Sequence, residues 1–191
     1  MTNLALNAAD TALVLIDLQQ GIAAMPVQPH SAATVVGNAA KLAARFRELG
    51  APVVLVSVAF PVGPAALRPD ADAVMTLPAT MPAGWDQIVQ ELTPEADDIL
   101  VTKRQWGAFY GTGLDLQLRR RGIKTIVLAG IATNIGVEST ARDAYERGYH
   151  QVIVEDACSA MSAEMHEFAF AKIFPRLAKV RMAEEVLLAL K

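Results

Sequence analysis

Three separated stretches place polar groups where an apolar run ends. In "LVLIDLQQG" (13–21), Asp17 stands alone after five apolar residues. A carboxylate at the carboxyl edge of a strand lies where open α/β sheets bind ligands; the same residue type also caps turns. In "ILVTKRQWGAF" (99–109), Lys103 and Arg104 close a second apolar run. If these two strands approach one another, Lys103 pairs with Asp17 and tunes its proton affinity; otherwise it is a solvated strand end. The third stretch, "AGIATNIGVESTARDA" (129–144), runs from a strand into a helix. Thr133 or Asn134 can cap that helix, leaving the N–H groups near Ile135 and Gly136 pointing outward beside Ala132. That arrangement is either an oxyanion or carboxylate site or a plain cap. At such an elbow α/β enzymes often perch a nucleophile, yet Gly136 has no side chain.

Other reactive residue types form no constellation. Cys158 in "VEDACSA" has no nearby histidine to serve as base, and a lone cysteine reads as a small buried apolar group. His30, His150 and His166 lack metal-ligand spacing. "AGIATNIG" is not GxGxxG, and there is no phosphate-binding P-loop. The sequence thus predicts neither a metal nor a cofactor.

Six apolar runs predict the strands that must position these residues: 12–18, 52–58, 98–101, 125–130, 151–156 and 179–182. Several lack polar alternation, as expected of strands covered on both faces of a parallel sheet. Between the first two, Val35, Ala39, Leu42, Phe46 and Leu49 recur at helical spacing, with Gly50 as the stop. Leu114 and Leu118 mark a helix that stops at Gly122; the elbow helix stops at Gly148, and another spans roughly 162 to 174. This alternation predicts a three-layer α/β/α domain, with a mostly parallel six-stranded sheet and helices on both faces. One domain over 1–191 suits the length. Residues 60–97 are the exception, holding six of the ten prolines with weak periodicity. So long a connection reads as a lid or an interface.

Apolar residues make up 53% of the chain, which excludes a disordered polymer. A net charge of −3, with "RRR" (119–121) as the only basic cluster, argues against a nucleic-acid partner. No apolar stretch reaches membrane-spanning length, the start lacks a signal-peptide pattern, and the single cysteine fits a reducing compartment. The expected location is the cytoplasm.

These pieces together resemble the isochorismatase-like, or cysteine hydrolase, superfamily. The likeness is carried by "TALVLIDLQQG", by the stretch from "VTKRQWGAFYG" to "VEDACSA", and by the order of Asp17, Lys103, "GIAT" and "TARDA". It implies that Asp17 and Lys103 are the catalytic aspartate and lysine. It further implies a non-proline cis peptide at Ile131–Ala132 and oxyanion-binding amides at Ala132 and position 136. Ile131, Ala132, Thr133, Trp106 and Phe109 would then contact substrate. Amidase members place their nucleophilic cysteine at position 136, where this chain has Gly136. Isochorismate-cleaving members are similar in carrying glycine there, and hydrolyse a vinyl ether with an aspartic acid as proton donor. The turn "IATNI" looks more like the amidase branch with its cysteine replaced. Nicotinamidase-type members bind metal after the second strand; here that place reads "SVAFPVG", so the resemblance implies no metal. It also implies a small-molecule substrate and self-association into homodimers or higher oligomers.

Overall fold

A computed structural model describes residues 4–60, 66, 69–73 and 80–191. Six strands form one parallel sheet: β1 (Thr11–Ile16), β2 (Val53–Val58), β3 (Ile99–Lys103), β4 (Thr125–Ile131), β5 (His150–Ser159) and β6 (Lys179–Arg181), in the order β3-β2-β1-β4-β5-β6. The chain winds outward from β1 to β3, returns to the centre at β4, and winds the other way to β6. All six residues of β1 are buried, as required of a central strand covered on both faces.

Among the described residues six α-helices accompany the sheet: α1 (Gln20–Ala23), α2 (Ala32–Glu48), α3 (Leu114–Arg120), α4 (Glu138–Glu146), α5 (Ala163–Phe168) and α6 (Ala183–Ala189). The Ser31 side chain accepts the Thr34 N–H to cap α2, and Val35, Ala39, Leu42 and Phe46 line its fully buried face. α2 packs against α6 on one side of the sheet. On the other, Tyr149 after α4 donates its hydroxyl to Asp115 of α3 at 2.8 Å. The predicted helix over 162–174 is α5 continued by a wider turn, Ala169–Ile173, and a tighter one, Phe174–Arg176.

One boundary and two elements differ from the sequence reading in ways that matter. β5 runs on to Ser159, so Cys158 lies within the strand, in register with Gly130 of β4, rather than after it. The short α1 and α6 were not anticipated; α1 has only four residues, too few to show periodicity. Of the 60–97 segment, residues 61–65, 67–68 and 74–79 lie outside the described part. Its later portion follows the turn after β1: Gln20 N–H donates to Gln87 O, Gly21 N–H to Trp85 O and Val89 N–H to Leu18 O.

Candidate active site

The winding direction reverses between β1 and β4, so the loops at their carboxyl ends diverge, which is where open α/β sheets bind ligands. Asp17 emerges there from β1. Its N–H makes the last rung to Val56 O at 2.9 Å, and its φ of 54° turns the chain off the sheet. Aspartate is one of the few side chains that tolerates this left-handed region. Lys103 ends β3, two strands away. Strands lie about 4.8 Å apart, so only a long side chain can cross above β2. Its Nζ lies 2.7 Å from Asp17 Oδ2, and both side chains are buried.

The two charges compete over the proton on Asp17. Burial pushes its carboxyl up to about 6, while Lys103 pulls it down through charge and hydrogen bonding. Asp17 Oδ1 is buried with no hydrogen-bond partner among the described residues. One oxygen is therefore held by the lysine, and the other is unclaimed by any described residue.

The elbow completes the crevice. Ile131–Ala132 is a cis peptide, as the family resemblance implied. Thr133–Val137 then forms a wide turn in which Ala132 O accepts from both Ile135 N–H and Val137 N–H at 3.2 Å. The Ile135 amide is thus occupied, against expectation. Nor does Thr133 or Asn134 cap the helix: Thr133 Oγ1 lies 2.9 Å from His166 Nδ1 on α5. Gly136 is buried, and a Cβ built there would lie 2.9 Å from Ile16 Cγ2, 3.1 Å from Asp17 Oδ2 and 3.6 Å from Lys103 Nζ. Position 136 thus faces the Asp17–Lys103 pair directly.

Not every expected residue gathers here. The ring of Phe109 lies against Tyr149 and beneath Arg147, at the far end of α4 from Gly136. It belongs to packing between the loop after β3 and α4, because an apolar ring gains more from that enclosed surface. Trp106, on the same loop, is 59% exposed. Cys158 is fully buried, and burial pushes its thiol up to about 12.

Sequence reasoning missed three polar residues around the site. Thr140 donates its hydroxyl to Gly136 O at 2.7 Å and accepts the Ala108 N–H at 3.1 Å, joining the elbow to the loop after Lys103. His166 braces Thr133, and its ring stands edge-on to His30 at 5.6 Å. Gln19 is fully buried, with its amide on Val58. Each acts through a partner remote in sequence, which periodicity does not signal. No group of three or more His, Cys, Asp or Glu is arranged to hold a metal among the described residues. No described helix is long and apolar enough to cross a membrane.

A family model described as Isochorismatase domain matches residues 11–185. The isochorismatase family protein YecD of Escherichia coli O157:H7 is 56% identical over 189 residues, covering 98% of this chain and 100% of that protein. A ureidoacrylate amidohydrolase, RutB of Variovorax paradoxus, is 34% identical over 177 residues, covering 81% of this chain and 70% of that one. Among solved structures, an isochorismatase family protein from Burkholderia thailandensis superposes with a TM-score of 0.92 at 46% identity, covering 98% of both chains.

Proposed function

Because this chain belongs to the isochorismatase family, we propose that it is a hydrolase of small molecules that works without a covalent enzyme intermediate. Asp17 serves as general acid or base with Lys103 beside it, and the backbone amides of Ala132 and Gly136 bind an oxyanion or carboxylate. The observation that carries this reading is the position of Gly136, whose absent side chain faces Asp17 Oδ2 and Lys103 Nζ. The family resemblance implies that amidase members bear their nucleophilic cysteine at that position. With glycine at 136, the acyl-enzyme route through that position is closed.

In the vinyl-ether form of the reaction, the Asp17 carboxylic acid protonates the terminal enol-ether carbon. The resulting oxocarbenium ion takes up water at its carbon. The hemiketal then expels the alcohol, giving a ketone, and a proton returns to Asp17. A carboxyl raised to about 6 suits this work, since general acids act best when their pKa lies near the working pH. In this reading the substrate rests against the Ile131–Ala132–Thr133 elbow, and the exposed Trp106, on the loop after β3, reaches it from solvent.

A second reading is favoured by the likeness to a ureidoacrylate amidohydrolase: Asp17, as a carboxylate, draws a proton from water that attacks an amide or ureide carbonyl. A third is a non-catalytic binder of a small carboxylate or amide. Purified protein assayed against vinyl ethers, amides and ureides, with Asp17→Asn in parallel, separates them. Vinyl-ether turnover that Asp17→Asn abolishes supports the first, and amide or ureide turnover the second. Melting shifts without turnover would leave the binder and overturn the hydrolase.

We also assign the chain to the cytoplasm, on its single buried cysteine, and to a homo-oligomer. Exposed Met161, Met165 and Phe168 recur at helical spacing on and beside α5, a surface suited to a second subunit.

A further inference from the structure

β1 and β2 pair in register up to Ile16 and Val56, and Asp17 N–H then donates to Val56 O. Were β1 to continue, the next two rungs of a parallel ladder would be Val58 N–H to Asp17 O and Gln19 N–H to Val58 O. Neither forms, because Asp17 turns away at φ 54° and Gln19 N–H closes back on Asp17 O at 2.8 Å. The Gln19 side chain takes over both rungs. Its Oε1 accepts Val58 N–H at 2.7 Å, and its Nε2 donates to Val58 O at 3.1 Å.

The consequence reaches Lys103. Val58 is in register with Lys103, and Ala59 N–H donates to Lys103 O at 2.9 Å. Lys103 Nζ returns to Asp17 Oδ2 at 2.7 Å. Asp17, Gln19, Val58–Ala59 and Lys103 thus form a closed ring of hydrogen bonds over the carboxyl end of β2. A fully buried primary amide with both atoms satisfied by one backbone residue is a specific placement rather than a chance burial.

We propose that Gln19 is a positioning residue: its side chain substitutes for the missing end of the β1–β2 ladder and so fixes Asp17 against Lys103. The inference rests on that pair being the working site. Gln19 touches neither reacting charge through its side chain; it acts through the backbone of β2.

The test is the titration of the Asp17 carboxyl, followed by carbon NMR and assigned by its loss in Asp17→Asn. It compares wild type, Gln19→Met (equal in length, without hydrogen-bonding groups) and Gln19→Asn (one methylene too short to serve both rungs). Freed of its clamp, the turn admits water, so the Asp17 midpoint should fall from about 6 toward the ordinary carboxylate range in both variants. A rise, produced by Lys103 drawing away, would equally place the pair under Gln19's control. A folded variant titrating at the wild-type midpoint would overturn the proposal. So would failure of both variants to fold, which would assign Gln19 to the fold alone. Wild-type turnover by Asp17→Asn would sink the catalytic reading and leave this titration unaffected, so the two failures are separable.

Discussion

Lys103 Nζ sits 2.7 Å from Asp17 Oδ2 although a whole strand separates the two backbones. The contact exists only because a four-carbon stem crosses above β2 at the point where Asp17 turns upward. With both groups buried, the pair is balanced between desolvation, which protonates Asp17, and attraction, which ionises it.

Asp17→Asn should therefore lower turnover by roughly 10²–10⁴, the usual contribution of a positioned proton donor or acceptor. The protein should remain folded by circular dichroism, since the amide fills the same space. Near-wild-type turnover would remove Asp17 from the chemistry.

The pH profile distinguishes the two chemical roles. If Asp17 is the acid, kcat falls as pH rises through about 6; if it is the base, kcat falls as pH drops through the same value. A flat profile from pH 4.5 to 8 would fit neither role.

Stability should follow the same proton. The unfolded chain titrates Asp17 near 3.8 and the folded chain near 6, so between them the folded state binds more protons. Asp17's contribution thus makes the protein less stable as pH rises from about 4 to 6, by on the order of 3 kcal/mol, and constant above that. Thermal melts of wild type and Asp17→Asn across this window check it: the mutant should lack that slope.

At Gly136 the limit is space. Its φ lies outside the left-handed region, but a Cβ would press on Ile16 Cγ2 at 2.9 Å. Gly136→Ala and Gly136→Cys should both lose about 1–3 kcal/mol to overpacking. The introduced thiol, beside Lys103, should be alkylated far faster than Cys158, whose thiol is pushed up to about 12. Equal alkylation rates in a folded Gly136→Cys protein would mean that this elbow does not face the pair.

Turnover should be indifferent to the natural cysteine. Cys158 is fully buried in β5 opposite Gly130, so iodoacetamide should leave the folded protein unlabelled and its rate unchanged. Inactivation that tracks labelling at Cys158 would contradict a thiol-free mechanism.

The sheet was legible because uninterrupted Val, Ile and Leu runs have few other homes, and Asp17 and Lys103 stood out as the charges ending two of them. Their pairing depended on strand order, which alternation of elements suggests without fixing. Phe109 illustrates the limit: an aromatic after a strand suits a pocket or a core, and only the contact with Tyr149 decides. Gln19 and Thr140 were invisible for a related reason. A polar side chain that replaces backbone hydrogen bonds leaves no mark on periodicity, because its partner lies 39 residues away in one case and 32 in the other.

The strand-like contact between residues 85–89 and 18–21 links the proline-rich excursion to the turn after β1 through main-chain hydrogen bonds, joined by one side-chain bond from Gln20 Nε2 to Gln87 Oε1 at 3.4 Å. One pair of positions along it is sterically coupled. A Cβ at Gly21 would fall 1.9 Å from Cδ1 of Trp85, so an indole at 85 and any side chain at 21 exclude each other. A side chain at 21 therefore requires the residue at 85 to change or to move. A chimera that imports a relative's excursion onto this scaffold must bring its own partner for residue 21, or the graft will lift off the turn that carries Asp17.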